Sequence, residues 1–152
     1  MNYVRKKSQK QEARTAKEFG GRVTPASGAL DGAKGDVKTP LFLIENKYTD
    51  CDFYTLHANT WEKIFKEATK DGLRLPLMQI DIQDCELVLG DKYDVIPPNT
   101  AFKVMVCREL RGKSIRIKKE WFDEFEVVHF KLQGYTLALI KKQLFLDGQM
   151  QT

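Results

Sequence analysis

Apolar and polar positions in the N-terminal half predict two helices separated by short strands. A helix is expected from about Ser8, which begins a capping-box pattern, to Phe19, where the breaker pair Gly20-Gly21 follows. A second helix is expected over residues 55–71, where apolar side chains recur at three- and four-residue spacings. These helices flank the strands that carry the candidate chemistry.

Strands are predicted where apolar runs are short and bounded by turn residues. Residues 22–24 and 36–38 form short strands, and 41–48 forms a hairpin with 36–38 through Thr39-Pro40. Residues 75–80 form a strand parallel to 41–48, because a helix separates the two. Further strands are expected at 86–89, 102–107 and 114–118, a loop at 91–99, and one or two helical turns at 120–125; residues 127–146 mix helical and strand periods.

This order of helices and strands predicts one α/β domain over residues 1–152, with a mixed central β-sheet flanked by helices. The composition agrees, since 42% hydrophobic and 30% charged residues are ordinary for a globular domain of 152 residues. No internal repeat is apparent. The core motifs fall within residues 8–80, and residues 101–146 supply further strands and a helix that could form a dimer face.

The N-terminal quarter of the chain is basic. Residues 1–38 hold nine Lys and Arg against four Asp and Glu, whereas the whole chain has a net charge of +4. The excess favours a polyanionic partner. No apolar run approaches the roughly 20 residues of a membrane helix. The three cysteines form no CxxC pair, so an intracellular, cytoplasmic protein without membrane contact is expected.

The candidate chemistry stands where an apolar strand ends in charged residues. Glu45 and Lys47 are two positions apart, so their side chains share one face of the strand. Asp36, on the other strand of the hairpin, lies within cross-strand reach of that face. Carboxylates suit Mg²⁺, and a lysine beside them can orient water or stabilise charge on a phosphate. An isolated Glu-x-Lys also occurs as a surface ion pair worth under ~1 kcal/mol.

The segment from Gln11 to Thr49, QEARTAKEFGGRVTPASGALDGAKGDVKTPLFLIENKYT, resembles the PD-(D/E)xK nuclease superfamily. Within it, the likeness is closest to the archaeal-type Holliday junction resolvases and their phage relatives. That family orders a helix with a glutamate, a Ser-Gly loop, an aspartate on one strand and (D/E)xK on the next. The resemblance covers about a quarter of the chain, and Gly35 stands where the signature has proline.

By motif position, the resemblance implies a restriction-endonuclease-like core with three catalytic residues. Asp36 and Glu45 would bind Mg²⁺, for which Mn²⁺ is expected to substitute, and Lys47 would assist hydrolysis of a phosphodiester.

The family's helical glutamate has two candidates in this chain, Glu12 and Glu18. At 100° per residue, Glu12 shares a stripe with Ala16 and Phe19, which are expected to pack inward. Glu18 can pair with Arg14 on the outer face. Glu12 is therefore the predicted catalytic carboxylate and additional metal ligand, although it also suits a capping role near the helix start.

Contacts to the DNA backbone are predicted around this site. In the resembled family the loop serine lies near the scissile phosphate, which assigns Ser27 and Gly28 to phosphate binding; a flexible turn is the alternative. Arg22 and a basic fringe are expected to contact phosphates and to set the salt dependence of binding. The fringe comprises Lys6, Lys7, Lys10, Arg14 and Lys34.

The function predicted is a metal-dependent, structure-selective endodeoxyribonuclease that resolves four-way junctions by paired phosphodiester hydrolysis. The resemblance implies a homodimer, because a four-way junction needs paired cuts related by a twofold axis. It also implies branched DNA as partner and a phage-encoded role inside the host cell. Nicking, restriction-like, flap and single-strand-specific nucleases stay open, as does a non-catalytic protein that binds nucleic acid without Mg²⁺.

Overall fold

The protein is seen in a computed structural model that describes residues 3–24, 37–98, 100–107 and 112–150. The helices are α1 (Tyr3–Phe19), α2 (Ala58–Lys70), α3 (Lys92–Val95), α4 (Trp121–Glu124) and α5 (Lys142–Met150). The strands are β1 (Arg22–Val23), β2 (Val37–Lys38), β3 (Phe42–Thr49), β4 (Phe53–His57), β5 (Leu75–Ile82), β6 (Cys85–Asp91), β7 (Val104–Cys107), β8 (Ser114–Lys118), β9 (Val127–Leu132) and β10 (Tyr135–Lys141).

Eight of the described strands form one mixed sheet in the order β1-β2-β3-β5-β6-β10-β9-β7, which confirms the predicted α/β class. The predicted hairpin is present, with Val37 opposite Ile44 in antiparallel β2 and β3. The predicted parallel pairing of β3 with β5 is also present, and it brings Glu45 beside Met78. The strands β4 and β8 pair separately as a two-stranded antiparallel ribbon.

The main sheet buries both of its faces. On one face, Met78 and Ile80 of β5 pack with Trp61 of α2 and with the ribbon. On the other face, Leu77 of β5 packs with Ala16 of α1, and α3 and α5 complete the layer. The side chains of successive β5 residues therefore pack into opposite cores, as the two-residue period of a strand requires. No helix among the described residues has the length and apolar character to cross a membrane.

Several predicted boundaries were wrong. Helix α1 begins at Tyr3 rather than Ser8, and it ends as predicted before Gly20, whose φ of 70° suits glycine. Helix α2 begins at Ala58, because residues 55–57 pair with β8 as part of β4. The segment expected as a loop contains α3, where the Asp91 side chain accepts a hydrogen bond from the Tyr93 amide.

The segment 127–146, whose pattern left helix and strand open, forms a hairpin followed by α5. Strands β9 and β10 turn at Gln133 and Gly134, both of which have positive φ. Their apolar side chains enter the cores of the protein's own sheet, with Leu139 and Phe145 fully buried. The stretch considered as a dimer face is thus largely used within the chain, and dimerisation through it stays a prediction.

The sheet also contains an internal twofold repeat, which is not apparent in the sequence. The first unit consists of β3, β4, α2, β5, β6 and α3, and the second unit consists of β7, β8, α4, β9, β10 and α5. In each unit the first strand pairs in parallel with the third, and the second strand enters the ribbon. The sheet order β3-β5-β6-β10-β9-β7 reads the same from either unit.

The strand pairing locates the axis of this repeat. Leu89 of β6 lies directly opposite Leu139 of β10, and these two leucines are equivalent positions of the two units. The same spacing along the chain separates the turn residues Gln83 and Gln133, which share a positive φ. It also separates two further identical pairs, Leu87 with Leu137 and Lys92 with Lys142. With so few identities, the repeat is visible in the pairing and not in the sequence.

Candidate active site on strand β3

Glu45 and Lys47 lie side by side on β3, as their spacing predicted. The Lys47 ammonium is 3.5 Å from a Glu45 carboxylate oxygen. Both side chains are on the face of β3 directed toward α2 and the ribbon, since their β5 neighbours Met78 and Ile80 belong to that core. The side chains are 22% and 36% exposed, so the pair is at the border between core and solvent. A ligand can therefore reach both groups.

Tyr54, on strand β4, is a further member of this site. Burial, with a smaller contribution from the Glu45 carboxylate, raises the pKa of the Tyr54 phenol to about 12. Tyr54 therefore stays protonated at neutral pH beside the Glu45 charge. A role for Tyr54 was not predicted, because the helical pattern of residues 55–71 overlaps the end of β4. Only the pairing of β4 with β8 brings the ring to β3.

Tyr54→Phe should alter the stability of the protein at high pH only. An unfolded tyrosine ionises near pH 10, whereas folded Tyr54 holds its proton until about pH 12. Between these values the unfolded state loses a proton that the folded state keeps, so the free energy of unfolding falls as the pH rises. We expect Tyr54→Phe to show a smaller fall in urea unfolding between pH 10 and pH 12. An identical fall in both proteins would contradict this environment for Tyr54.

Helix α1 fixes the backbone of β3 from the opposite face of the sheet. The Gln11 side-chain amide donates to the Lys47 carbonyl at 2.8 Å, and the Thr15 hydroxyl donates to the Asn46 amide oxygen at 2.8 Å. Both α1 side chains are almost fully buried. These contacts hold the strand on which Glu45 and Lys47 stand. Gln11 and Thr15 had no role in the sequence analysis, since a buried polar contact leaves no periodic signal.

Glu12 is half-buried and follows Gln11 on α1. Ala16 is buried, as the predicted inward stripe requires. Helix α1 nevertheless covers the Asn46 face of β3, whereas Glu45 projects from the other face. Glu12 therefore stands on a helix that packs against the face of β3 opposite to Glu45. Its role as a catalytic carboxylate and metal ligand stays a prediction.

Glu18 pairs with Arg14, as predicted, at 3.6 Å. Both residues are exposed, as expected for the outer face, although α5 and β6 pack beside the pair. Lys142 of α5 contacts both Glu18 and Glu86, and Arg14 also reaches Glu86 at 3.6 Å and Asp81 at 3.3 Å. These five residues form a polar network that joins α1, β5, β6 and α5.

Asp81 is the most buried carboxylate of this network, with a side chain 5% exposed. Burial raises its pKa, and a hydrogen bond from the Gln79 amide at 2.7 Å partly opposes that shift. Gln79 thus faces α1 and lies on the opposite side of the sheet from Glu45. Arg14 is predicted as a DNA contact, and its guanidinium here already neutralises three carboxylates.

Lys142→Ala should destabilise the protein by about 1–3 kcal/mol, because two partly buried carboxylates lose their cation. The Lys142 side chain is 9% exposed and lies between Glu18 and Glu86. The free energy of unfolding from urea titration measures the effect. Lys63→Ala, at an exposed position of α2, is the control and should change stability by less than about 0.5 kcal/mol. Equal stabilities of the two variants would mean that the network contributes nothing.

The remaining predicted site residues are distributed unevenly over the structure. Lys10 and Arg22 are exposed, on α1 and β1. Lys6 and Lys7 belong to α1. Ser27, Gly28, Lys34 and Asp36 lie outside the described residues. Within the described ranges there is no group of three or more His, Cys, Asp or Glu side chains arranged to hold a metal.

A cavity of about 540 Å³ lies away from this site, beside the polar network and between α1, α4 and α5, where Arg14, Glu86 and Lys142 line it. Its lining holds four basic and four acidic side chains. The cavity therefore offers no single charge sign to a ligand.

No protein-family model matches this chain, and no curated protein is significantly similar to it. Function is therefore inferred from the residues of β3, from the elements that hold them, and from the motif resemblance.

Proposed function

We propose that this protein is a metal-dependent, structure-selective DNA endonuclease that resolves four-way junctions. The observation that carries the proposal is the pairing of Glu45 with Lys47 on one partly exposed face of β3. Strand β3 pairs with β5 along its whole length, from Phe42 to Thr49, so the two charges have a rigid base. A rigid strand suits catalysis, since reacting groups must be held within a fraction of an ångström.

The donor set fits a hard divalent cation. Mg²⁺ binds through one or two carboxylates and keeps several waters and substrate phosphate oxygens. Glu45 supplies one carboxylate at a position open to solvent. Asp36 is proposed as the second, because it precedes Val37, and the β2–β3 ladder pairs Val37 with the residue before Glu45. When bound, the metal would polarise the phosphodiester and lower the pKa of a coordinated water.

The chain's own groups have separate roles in this proposal. Lys47 can donate hydrogen bonds to a non-bridging phosphate oxygen and so stabilise the charge that develops during hydrolysis. Glu45 positions the Lys47 ammonium, which lies 3.5 Å from its carboxylate. Tyr54 stays protonated at neutral pH, given its pKa of about 12, and so adds no negative charge beside Glu45. Gln11 and Thr15 hold β3 from behind.

The repeat supports the proposal that two chains act together. Met105 lies beside Val128 just as Glu45 lies beside Met78, and Cys107 occupies the position equivalent to Lys47. The second unit therefore carries neither a carboxylate nor a lysine at its equivalent site. One chain would supply one Glu-x-Lys site, so paired cuts in a junction require a second copy. A homodimer is thus part of the proposal.

The test is cleavage of a labelled synthetic four-way junction beside linear duplexes of the same sequences, in Mg²⁺ and in EDTA. Paired, symmetric nicks in the junction alone, abolished by EDTA, are the expected result. Equal cutting of the linear duplex would support a metal-dependent nuclease and would contradict its selectivity for junctions. Binding of DNA without cleavage of junction, duplex, flap or single strand would favour the non-catalytic alternative.

A further inference from the structure

The ribbon of β4 and β8 covers the same face of the main sheet that carries Glu45 and Lys47. Its inner side chains, Leu56, Ile115 and Ile117, are buried in the core formed with β5 and α2. Tyr54 of the ribbon packs against the core that contains Met78 and Ile80, the β5 neighbours of Glu45 and Lys47. The ribbon therefore borders the proposed active site.

The outer face of the ribbon is basic. On β8, Arg116 and Lys118 are exposed and alternate with the buried isoleucines. The Arg116 guanidinium lies over the Phe53 ring of β4, 4.5 Å from its centroid. A ring in this position holds the guanidinium at the surface and leaves its N–H groups directed outward.

Arg116 and Lys118 differ from Arg14 and Lys142 in their partners. Among the described residues, Arg14 and Lys142 are neutralised by carboxylates, whereas Arg116 and Lys118 form no ion pair with any described carboxylate. A shallow groove of about 430 Å³ runs beside them. Its lining also includes acidic residues, Asp52, Glu120 and Asp123, with Lys119 on the basic side.

The repeat shows that the two ribbon strands have diverged. Thr55 lies directly opposite Arg116, at the centre of the five-pair ladder that joins β4 and β8. The first unit thus has the Glu45–Lys47 pair and a nearly neutral ribbon strand, and the second unit has an apolar equivalent of that pair and a cationic ribbon strand. Charged residues thus lie at two places on this side of the sheet, the Glu45–Lys47 pair and the outer face of β8.

We propose that the outer face of the ribbon binds the DNA backbone, with Arg116 and Lys118 contacting phosphates of a duplex arm that leads to Glu45 and Lys47. The inference rests on the proposed function and adds a binding surface to it. An arginine fork suits phosphate oxygens, and unpaired cations gain most from releasing the counterions of DNA. The second unit then serves binding, while the first performs hydrolysis.

The experiment measures binding of a labelled four-way junction by fluorescence anisotropy in EDTA, over a range of NaCl concentrations. The test protein is Arg116→Gln/Lys118→Gln. The control is Lys103→Gln/Lys131→Gln, which removes the same charge from exposed positions; Lys131 is on the opposite face of the main sheet. Lys118→Gln alone serves as a milder variant, and circular dichroism checks the fold of each protein.

We expect the test protein to bind at least about tenfold more weakly than wild type near 0.1 M salt, and its log–log salt slope to fall by about 2. Lys118→Gln should lower the slope by about 1, and the control should stay within about threefold of wild type. Equal losses in test and control proteins, or a wild-type slope in a folded test protein, would overturn the ribbon proposal. If wild type still cut the junction in Mg²⁺, the proposed function would survive that result. A wild-type protein that neither bound nor cut DNA would overturn both.

Discussion

Lys47→Ala is expected to slow junction cleavage by about 100- to 1000-fold, the usual cost of removing one donor that stabilises transition-state charge. The Lys47 side chain lies at the border of the core, 36% exposed, and its described ion-pair partner is Glu45, also at the border. The fold should therefore be retained. Single-turnover cleavage in Mg²⁺ measures the rate, and junction affinity in EDTA should change little by comparison.

Lys66→Ala is the matched control for this change. Lys66 also forms an ion pair, at 2.9 Å from Glu62, on the exposed surface of α2. We expect its variant to cleave at the wild-type rate. If Lys47→Ala cleaved as fast as Lys66→Ala, the Glu45–Lys47 pair would be an ordinary surface ion pair and the proposed site would be wrong.

Leu89→Ala and Leu139→Ala are expected to destabilise the protein by similar amounts, about 2–5 kcal/mol each. The two leucines are fully buried and lie opposite each other at the axis of the internal repeat. Each truncation leaves a cavity in the same core, between the main sheet and the ribbon. Urea unfolding of the two variants measures the cost.

The double variant Leu89→Ala/Leu139→Ala extends this prediction. Because the two side chains are neighbours, their effects should not be additive, with a coupling of about 0.5–3 kcal/mol. Leu73→Ala is the control, since Leu73 is 78% exposed and should matter little. A loss below about 1 kcal/mol at one axis leucine and a large loss at the other would contradict the equivalence of the two units.

Much of the fold could be predicted because local patterns decide it. The break at Gly20-Gly21 ended α1, and the turn at Thr39-Pro40 fixed the β2–β3 hairpin. The intervening helix made β3 and β5 parallel. Strand β4 was not predicted, because residues 55–57 pair with β8, which lies far along the chain. Nonlocal pairing overrides a helical period in a short segment.

The candidate site was predicted only where it depends on a local sequence pattern. The two-residue period of a strand was enough to bring Glu45 and Lys47 together. The position of Tyr54 and the polar network around Arg14 depend on contacts made by the ribbon and by α5. These contacts join distant parts of the chain, so no local sequence pattern predicts them. The repeat escaped detection for another reason: α2 has 13 residues and α4 has four, so the units differ in length as well as in sequence.

The most direct test of the account is single-turnover cleavage of a labelled four-way junction by wild type and by Glu45→Gln, purified in parallel and assayed in Mg²⁺. Glu45→Gln keeps the size of the side chain and removes the charge proposed to hold the metal. We expect symmetric nicks from wild type. We expect Glu45→Gln to fold normally and to cleave at least about 100-fold more slowly. Equal cleavage by both proteins would contradict the assignment of Glu45, and with it the central claim that β3 carries a metal-dependent nuclease site.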